Sequence, residues 1–385
     1  MDGQAMEMLR FFQELPDPRA HNARHLLGDI LAIAIMGVFC GCEGWVEIAE
    51  WAQAGEEWFK TVLALPHGVP SHDTFDRVFS LLNPEAFEAC FISWTDALAR
   101  GGKGKFIAVD GKTLRRSFAH GWRKTPTHLV SAFASDNDLV LGQIKTDGKS
   151  NEITAIPKLL KLLEIQGAAV TIDAMGCQKE IAARIIEQKG QYVLAVKQNQ
   201  ELLYAKVRGL LDEAILESFH GMKHDYFQSV DGDHGRIETR RCWCTPETHW
   251  LKDLAGQWPG LKSLIVVENA REQKDSIDPA AVERRYYISS LDGTDAAMCA
   301  RAIRSHWRIE NSLHWMLDVT MNEDQCRLRV KNGAENFSRL RRMALNKLKR
   351  YQIVRKNGKV SKVGIKVKQK VCGWSREHLL KALTA

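Results

Sequence analysis

Three short apolar runs constrain this chain more than any other feature: KFIAVDGK at 105–112, GAAVTIDAMG at 167–176 and QYVLAVKQNQ at 191–200. Each has the length of a strand and is apolar without strict alternation, the pattern of a strand covered on both faces. Helix-period segments, NEITAIPKLLKLLEI and KEIAARIIEQKG, separate them, and THLVSAFASDNDLVLGQIKT reads as a hairpin turning near Asn137. Strands alternating with helices predict an α/β fold built on a mixed sheet. Asp110 and Asp173 close two of the runs, at the carboxyl ends where open α/β sheets hold ligands. Glycine follows each acid (Gly111, Gly176), so a turn is the plainer reading for either one alone.

With 385 residues the chain has room for two or three domains. Residues 1–100 read as helical, with RHLLGDILAIAIMGVF nearly all apolar, EGWVEIAEWA amphipathic, and VPSHDTFDRVFSLL opening on Pro70 and an N-cap at Ser71. Such a unit suits DNA binding or dimerisation, and GGKGK at 101–105 marks a flexible boundary after it. The α/β core is expected over 105–335, with a β-rich insertion at about 220–290 carrying HDYFQSV, GRIETRRCWC, LKSLIVVENAR and RRYYISSL.

Charge is distributed unevenly. The net charge is +7, yet the 14 lysines and arginines between Asn336 and Arg376 have no acid among them, leaving 40 basic against 47 acidic residues elsewhere. A basic segment at 336–385 suits a polyanion, DNA above all, the alternative being a solvated face. RLRRMALNKLKRY spaces its apolar residues as an ordered helix does. The longest apolar run, Ile30 to Cys40, is too short for the roughly 20 residues of a membrane span, and the N-terminus lacks a signal pattern, so a cytoplasmic protein is expected. The nine cysteines form no spaced framework, and the pairs Cys40/Cys42 and Cys242/Cys244 lack the second half of a zinc site.

HWRIENSLHW at 306–315 adds a third isolated acid. On an α-helix His306, Glu310 and His314 stack on one side, and Ile303, Trp307, Leu313 and Leu317 turn that side partly toward a core. An inward carboxylate needs a partner: an arginine such as Arg301, Arg304 or Arg308, or a metal. Taken together, two strand-end aspartates and a later helical glutamate offer oxygen ligands without thiolates, suited to Mg²⁺ or Mn²⁺. Two such ions serve in-line phosphoryl displacement, and the basic segment makes DNA the natural substrate. A zinc hydrolase using His306, Glu310 and His314 is a rival, but the order lacks H-E-x-x-H and leaves both aspartates idle.

At these residues the chain resembles the H-repeat-associated family of DDE-type insertion-sequence transposases. The likeness spans nearly the whole chain: LPDPRAHNARH, GCEGWVEIAEWA and VPSHDTFDRVF, then FIAVDGKTLRRS, KSNEITAIPKLL, VTIDAMGCQKEIAARI, YVLAVKQNQ, HGRIETR, SHWRIENSLHWMLDVTMNEDQCR and NFSRLRRMALNKLK. The resemblance implies an RNase H-like catalytic core and assigns Asp110, Asp173 and Glu310 as the catalytic, metal-binding triad for two divalent cations, Mg²⁺ or Mn²⁺. It further implies nicking at inverted-repeat ends, transfer of the freed 3′-OH into target DNA, and a homodimer among the DNA of a bacterial nucleoid. The wider transposase group places Tyr, Arg and Lys around this glutamate, where the present chain has Ile303, His306 and Leu317. His306 is the candidate replacement for the arginine, as a DNA or metal contact. Lys112, Arg115, Arg116, Lys197 and Asn199 are expected to hold phosphates, each with a solvated loop charge as its alternative. Arg339, Arg341, Arg342 and Lys347 are the DNA contacts expected of the basic segment. Asn311 and His314 are candidates to support Glu310, and Asp318, Glu323 and Asp324 to compete with it. An inactive DNA-binding relative and a host nuclease of the same fold are the other readings.

Overall fold

The computed structural model describes residues 7–21, 23–99, 105–118, 125–146, 151–233, 236–273 and 281–385; the boundary stretch GGKGK, but for Lys105, lies outside them. The N-terminal part is helical: α1 (Leu27–Phe39), α2 (Trp45–Ala54), α3 (Glu56–Phe59), α4 (His72–Leu81) and α5 (Pro84–Leu98). Local chemistry sets the ends. Pro84 occupies the first turn of α5, where its missing N–H costs nothing, and the Asn83 side chain accepts from Ala86 N at 2.9 Å. Helix α1, apolar almost throughout, is buried from Asp29 to Phe39.

The sheet begins with β1 (Phe106–Leu114), β2 (Thr127–Ala134) and β3 (Leu139–Thr146), then alternates with helices through α6 (Glu152–Leu162), β4 (Ala169–Ile172), α7 (Lys179–Glu187), β5 (Gln191–Val196) and α8 (Glu201–Leu216). Four long strands follow: β6 (Asp225–Asp233), β7 (Arg236–Thr245), β8 (Ser263–Gln273) and β9 (Ala281–Ser289). All nine strands form one sheet in the order β3-β2-β1-β4-β5-β9-β8-β7-β6. Strands β4 and β5 run parallel to β1, while β2 and β3 form an antiparallel meander on its other side. This is the RNase H-like mixed core the resemblance implied. The β-rich stretch continues the sheet, since β9 pairs antiparallel with β5.

Strand β1 divides two cores. Ile107 and Val109 pack among residues of α6 and α7, whereas Ala108, on the opposite face, joins the apolar cluster of the N-terminal helices. That second face is covered by α9 (Ala296–Arg308) and α10 (Gly333–Arg350), followed by α11 (Ile365–Trp374) and α12 (Arg376–Thr384). Between α9 and α10 the chain widens into two π-turn segments, Ile309–His314 and Met316–Thr320.

Helix α10 is the main departure from expectation. It forms where the apolar spacing of RLRRMALNKLKRY predicts, but every residue from Gly333 to Leu348 is buried. It packs against the N-terminal helices and the sheet, so the boundary expected at 336 falls inside a core helix. Asn346 exchanges hydrogen bonds with Val140 N and O (2.8 and 2.9 Å), and Glu88 accepts from Gln143 N at 2.6 Å. Both interactions cover backbone of β3, the edge strand, which would otherwise invite a foreign strand.

Candidate active site

Parallel pairing brings the aspartates together. Val109 and Ile172 are register partners on β1 and β4, so the next residues, Asp110 and Asp173, stand side by side; Asp173 follows the end of β4, whereas Asp110, expected to close its strand, lies at the middle of β1, which pairs with β2 as far as Leu114. Gly111 lies within β1, opposite Val130, so the turn reading of Asp110-Gly111 is replaced by a strand. Asp173 does serve a turn: its Oδ1 accepts from Met175 N (3.1 Å) and Gly176 N (3.3 Å), capping a short 3-10 helix.

Glu310 arrives from the covering helix, with α9 packed over β1 and β4. At its end Trp315 N–H reaches back five residues to Glu310 C=O, closing a π turn. Lys349 of α10 donates to Ser312 C=O at 2.7 Å, satisfying a carbonyl of the widened turn. The wider turn separates the two histidines that an α-helix stacks. His314 Nδ1 lies 3.6 Å from Asp110 Oδ2 and 3.5 Å from Glu310 Oε2, whereas His306 Nδ1 pairs with Thr171 Oγ1 at 3.2 Å.

Asp110, Glu310 and His314 bring one ligand atom each to within 4.8 Å of one another. His314 is buried, Asp110 nearly so, and Glu310 half exposed. Burial, then the adjacent Glu310 carboxylate, pushes Asp110 up to about 8, while the hydrogen bond with His314 holds Glu310 down to about 2. Two carboxylates this close cannot both stay ionised, so they share one proton. A divalent cation fits this donor set because it takes the place of that proton and relieves the repulsion. His314 was legible as a neighbour of Glu310, but its turn toward Asp110 needed the π geometry. Asp173 stands beside Asp110 and raises its pKa, yet lies outside the tight group. The zinc trio does not assemble among the described residues, since His306 lies outside the group, its Nδ1 paired with Thr171 Oγ1.

Several expected DNA contacts are placed otherwise. Lys112 is buried among Asp318 (2.6 Å), Asp324 (3.1 Å) and Glu323 (4.0 Å), so these three acids neutralise a lysine instead of competing with Glu310. Arg339 is buried with Glu88 and Glu335, and Arg342 with Glu323 at 3.0 Å. Arg341 lies over the Phe337 ring at 4.4 Å, and Lys347 Nζ donates to Ala385 O at 2.6 Å. None of these four side chains reaches solvent enough to meet DNA. His306, half-buried on Thr171, is likewise an internal contact. Arg115, Arg116 and Lys197 are exposed at the same sheet end as the aspartates. Asn199, also exposed, donates to Ala174 O at 2.6 Å and so braces the turn that carries Asp173.

Comparison with known proteins identifies the family of the chain. Residues 101–347 match the family described as Transposase DDE domain, and residues 9–95 the one described as DDE_Tnp_1-associated. The chain is 40% identical over 387 residues to the "H repeat-associated putative transposase YhhI" of Escherichia coli strain K12, covering 98% of this chain and 97% of that one. It is 43% identical over 343 residues to the "Putative transposase YncI" of Escherichia coli O157:H7, covering 89% and 87%. Among solved structures, a piggyBac transposase synaptic complex with hairpin DNA aligns at a TM-score of 0.40 and 13% identity, over 100% of this chain and 78% of that chain. With a matching domain over most of its length and near full-length relatives, the chain belongs to the DDE transposase family, among its H repeat-associated members.

Proposed function

We propose that this protein cleaves DNA strands at the inverted-repeat ends of an insertion element and joins the freed 3′-OH ends to target DNA. Asp110, Asp173 and Glu310 are the catalytic ligands of two divalent cations, Mg²⁺ or Mn²⁺, with His314 beside them. One observation carries this: strand register sets Asp110 beside Asp173, and the covering π turn delivers Glu310 and His314 to Asp110. Bound there, the ions supply Lewis acidity to the attacking and leaving oxygens of a phosphodiester. The chain's own residues do the rest. Asp110 and Glu310 give up their shared proton on loading, His314 keeps its Nδ1 within reach of both carboxylates, and exposed Arg115, Arg116 and Lys197 hold the flanking phosphates. The working form is a homodimer that brings two element ends together, in the bacterial cytoplasm at the nucleoid. No helix among the described residues is long and apolar enough to cross a membrane.

The test is a duplex carrying the element's inverted repeats, incubated with purified protein and MgCl₂ or MnCl₂. Nicking at the repeat ends followed by joined product is expected, and Asp110→Ala, Asp173→Ala and Glu310→Ala each abolish both while sparing binding. Wild-type cutting by Glu310→Ala overturns the triad. Binding without cutting by the wild type identifies an inactive relative, and cutting without joining identifies a nuclease.

A further inference from the structure

On the face of β1 opposite Asp110, a chain of hydrogen bonds runs beneath the site. Thr113 Oγ1 lies 2.8 Å from His128 Nδ1, and His128 Nε2 lies 2.6 Å from Glu152 Oε1. His128, early in β2, and Glu152, the first residue of α6, are both buried. With Nε2–H donated to the carboxylate and Nδ1 accepting the threonine hydroxyl, both ring nitrogens are satisfied. The pair presses on the backbone next to the catalytic aspartate. A Cβ on Gly111 would fall 2.3 Å from Glu152 Oε1 and 2.6 Å from His128 Nε2, so any larger residue there would have to displace the pair.

We infer that Thr113, His128 and Glu152 are positioning residues that hold Asp110 at the height where it meets Glu310 and His314. Side chains alternate across a strand, so contact with Gly111 from below sets how far the Asp110 backbone projects above. Thr113 and His128 are also register partners, and their bond ties β1 to β2 one side-chain step beyond the site. Stability alone is a poor reason for the arrangement, since a buried pair of this kind seldom outperforms apolar packing of the same volume. Fixing the geometry of a ligand strand is a task that apolar packing does less well, and partners that orient metal ligands are worth about 10–100-fold in metal affinity.

The inference rests on the metal-site reading, and the experiment separates the two. MnCl₂ is titrated calorimetrically into the full-length wild type and into Glu152→Ala, Glu152→Gln and Thr113→Val, and the Tm of each is recorded without metal. Glu152→Ala is expected to weaken Mn²⁺ binding about tenfold. Glu152→Gln, which still accepts from His128, should restore affinity to within about threefold of wild type, and Thr113→Val should weaken it while keeping the fold. If Glu152→Ala fails to fold, Thr113→Val decides the outcome. Wild-type Mn²⁺ affinity in Thr113→Val and in any folded Glu152→Ala overturns the inference, whatever happens to Tm. A wild type that binds no Mn²⁺ overturns the site reading and this inference with it.

Discussion

Single residues at the site trade stability for chemistry. Asp110 is held up to about 8 by burial and by Glu310, so its proton is bound more tightly in the folded than in the unfolded chain. Its contribution to stability is therefore full below the usual aspartate range and is lost as pH rises toward 8. Glu310, held down to about 2, contributes stability that is present above the usual glutamate range and lost as pH falls toward 2. Asp110→Asn should raise the metal-free Tm at pH 8 by roughly 2–4 °C and abolish any rise caused by MnCl₂, as scanning calorimetry can check. A lower metal-free Tm in this variant would contradict the repulsion described. Lys349 is a second case, its ammonium pushed down to about 8 by burial, yet spanning Ser312 C=O and Asp138. Lys349→Met leaves that carbonyl without its donor, which should cost about 1–3 kcal/mol in chemical denaturation and loosen the turn bearing Glu310. Lost stability with unchanged Mn²⁺ affinity would make Lys349 a purely structural prop.

Elements followed the sequence closely where period and caps governed them. Helix α1, the β2–β3 hairpin, the strand leading into Asp173 and the helix through RLRRMALNKLKRY stand where their patterns place them, while the strand bearing Asp110 runs on to Leu114 because β2 pairs with it that far. The π turns do not announce themselves, because a widened turn depends on partners such as Lys349 that come from another helix. The charge of the C-terminal segment illustrates the same divide. Its first half is buried, so the exposed cations lie mostly after Tyr351, and four of them, Arg355, Lys356, Lys359 and Lys362, cluster around the bridged pair Val354 and Val360. Changing these four to glutamine should flatten the slope of log K against log salt for DNA binding by about 0.9 for every phosphate no longer neutralised. An unchanged slope in a fluorescence-anisotropy salt series would remove this loop from the DNA surface.

Across the whole molecule, α10 is the element that joins the N-terminal helices to the sheet. Arg339 bonds Glu88 of α5 and Glu335, while Arg342 bonds Glu323 and Ser338 and reaches Ser131 of β2. Glu88→Ala breaks a buried ion pair, leaving Arg339 with Glu335 as counter-ion and Gln143 N without its acceptor, and should cost about 3–5 kcal/mol, read from the shift of a urea unfolding curve. Removing residues 336–385 should accordingly abolish folding, seen as loss of near-ultraviolet circular dichroism, and not merely weaken DNA binding. A truncated chain that stays folded would return this segment to the status of a tail. The sequence by itself determined the alternation of strands and helices, the placement of two acids on neighbouring strand segments, and a third on a helical segment, because these follow from local period and chain order. Only the tertiary structure decided which charges meet solvent and which histidine faces the acids. Arg339 is neutralised by a glutamate 251 residues away, and no local pattern can encode a partner at that distance.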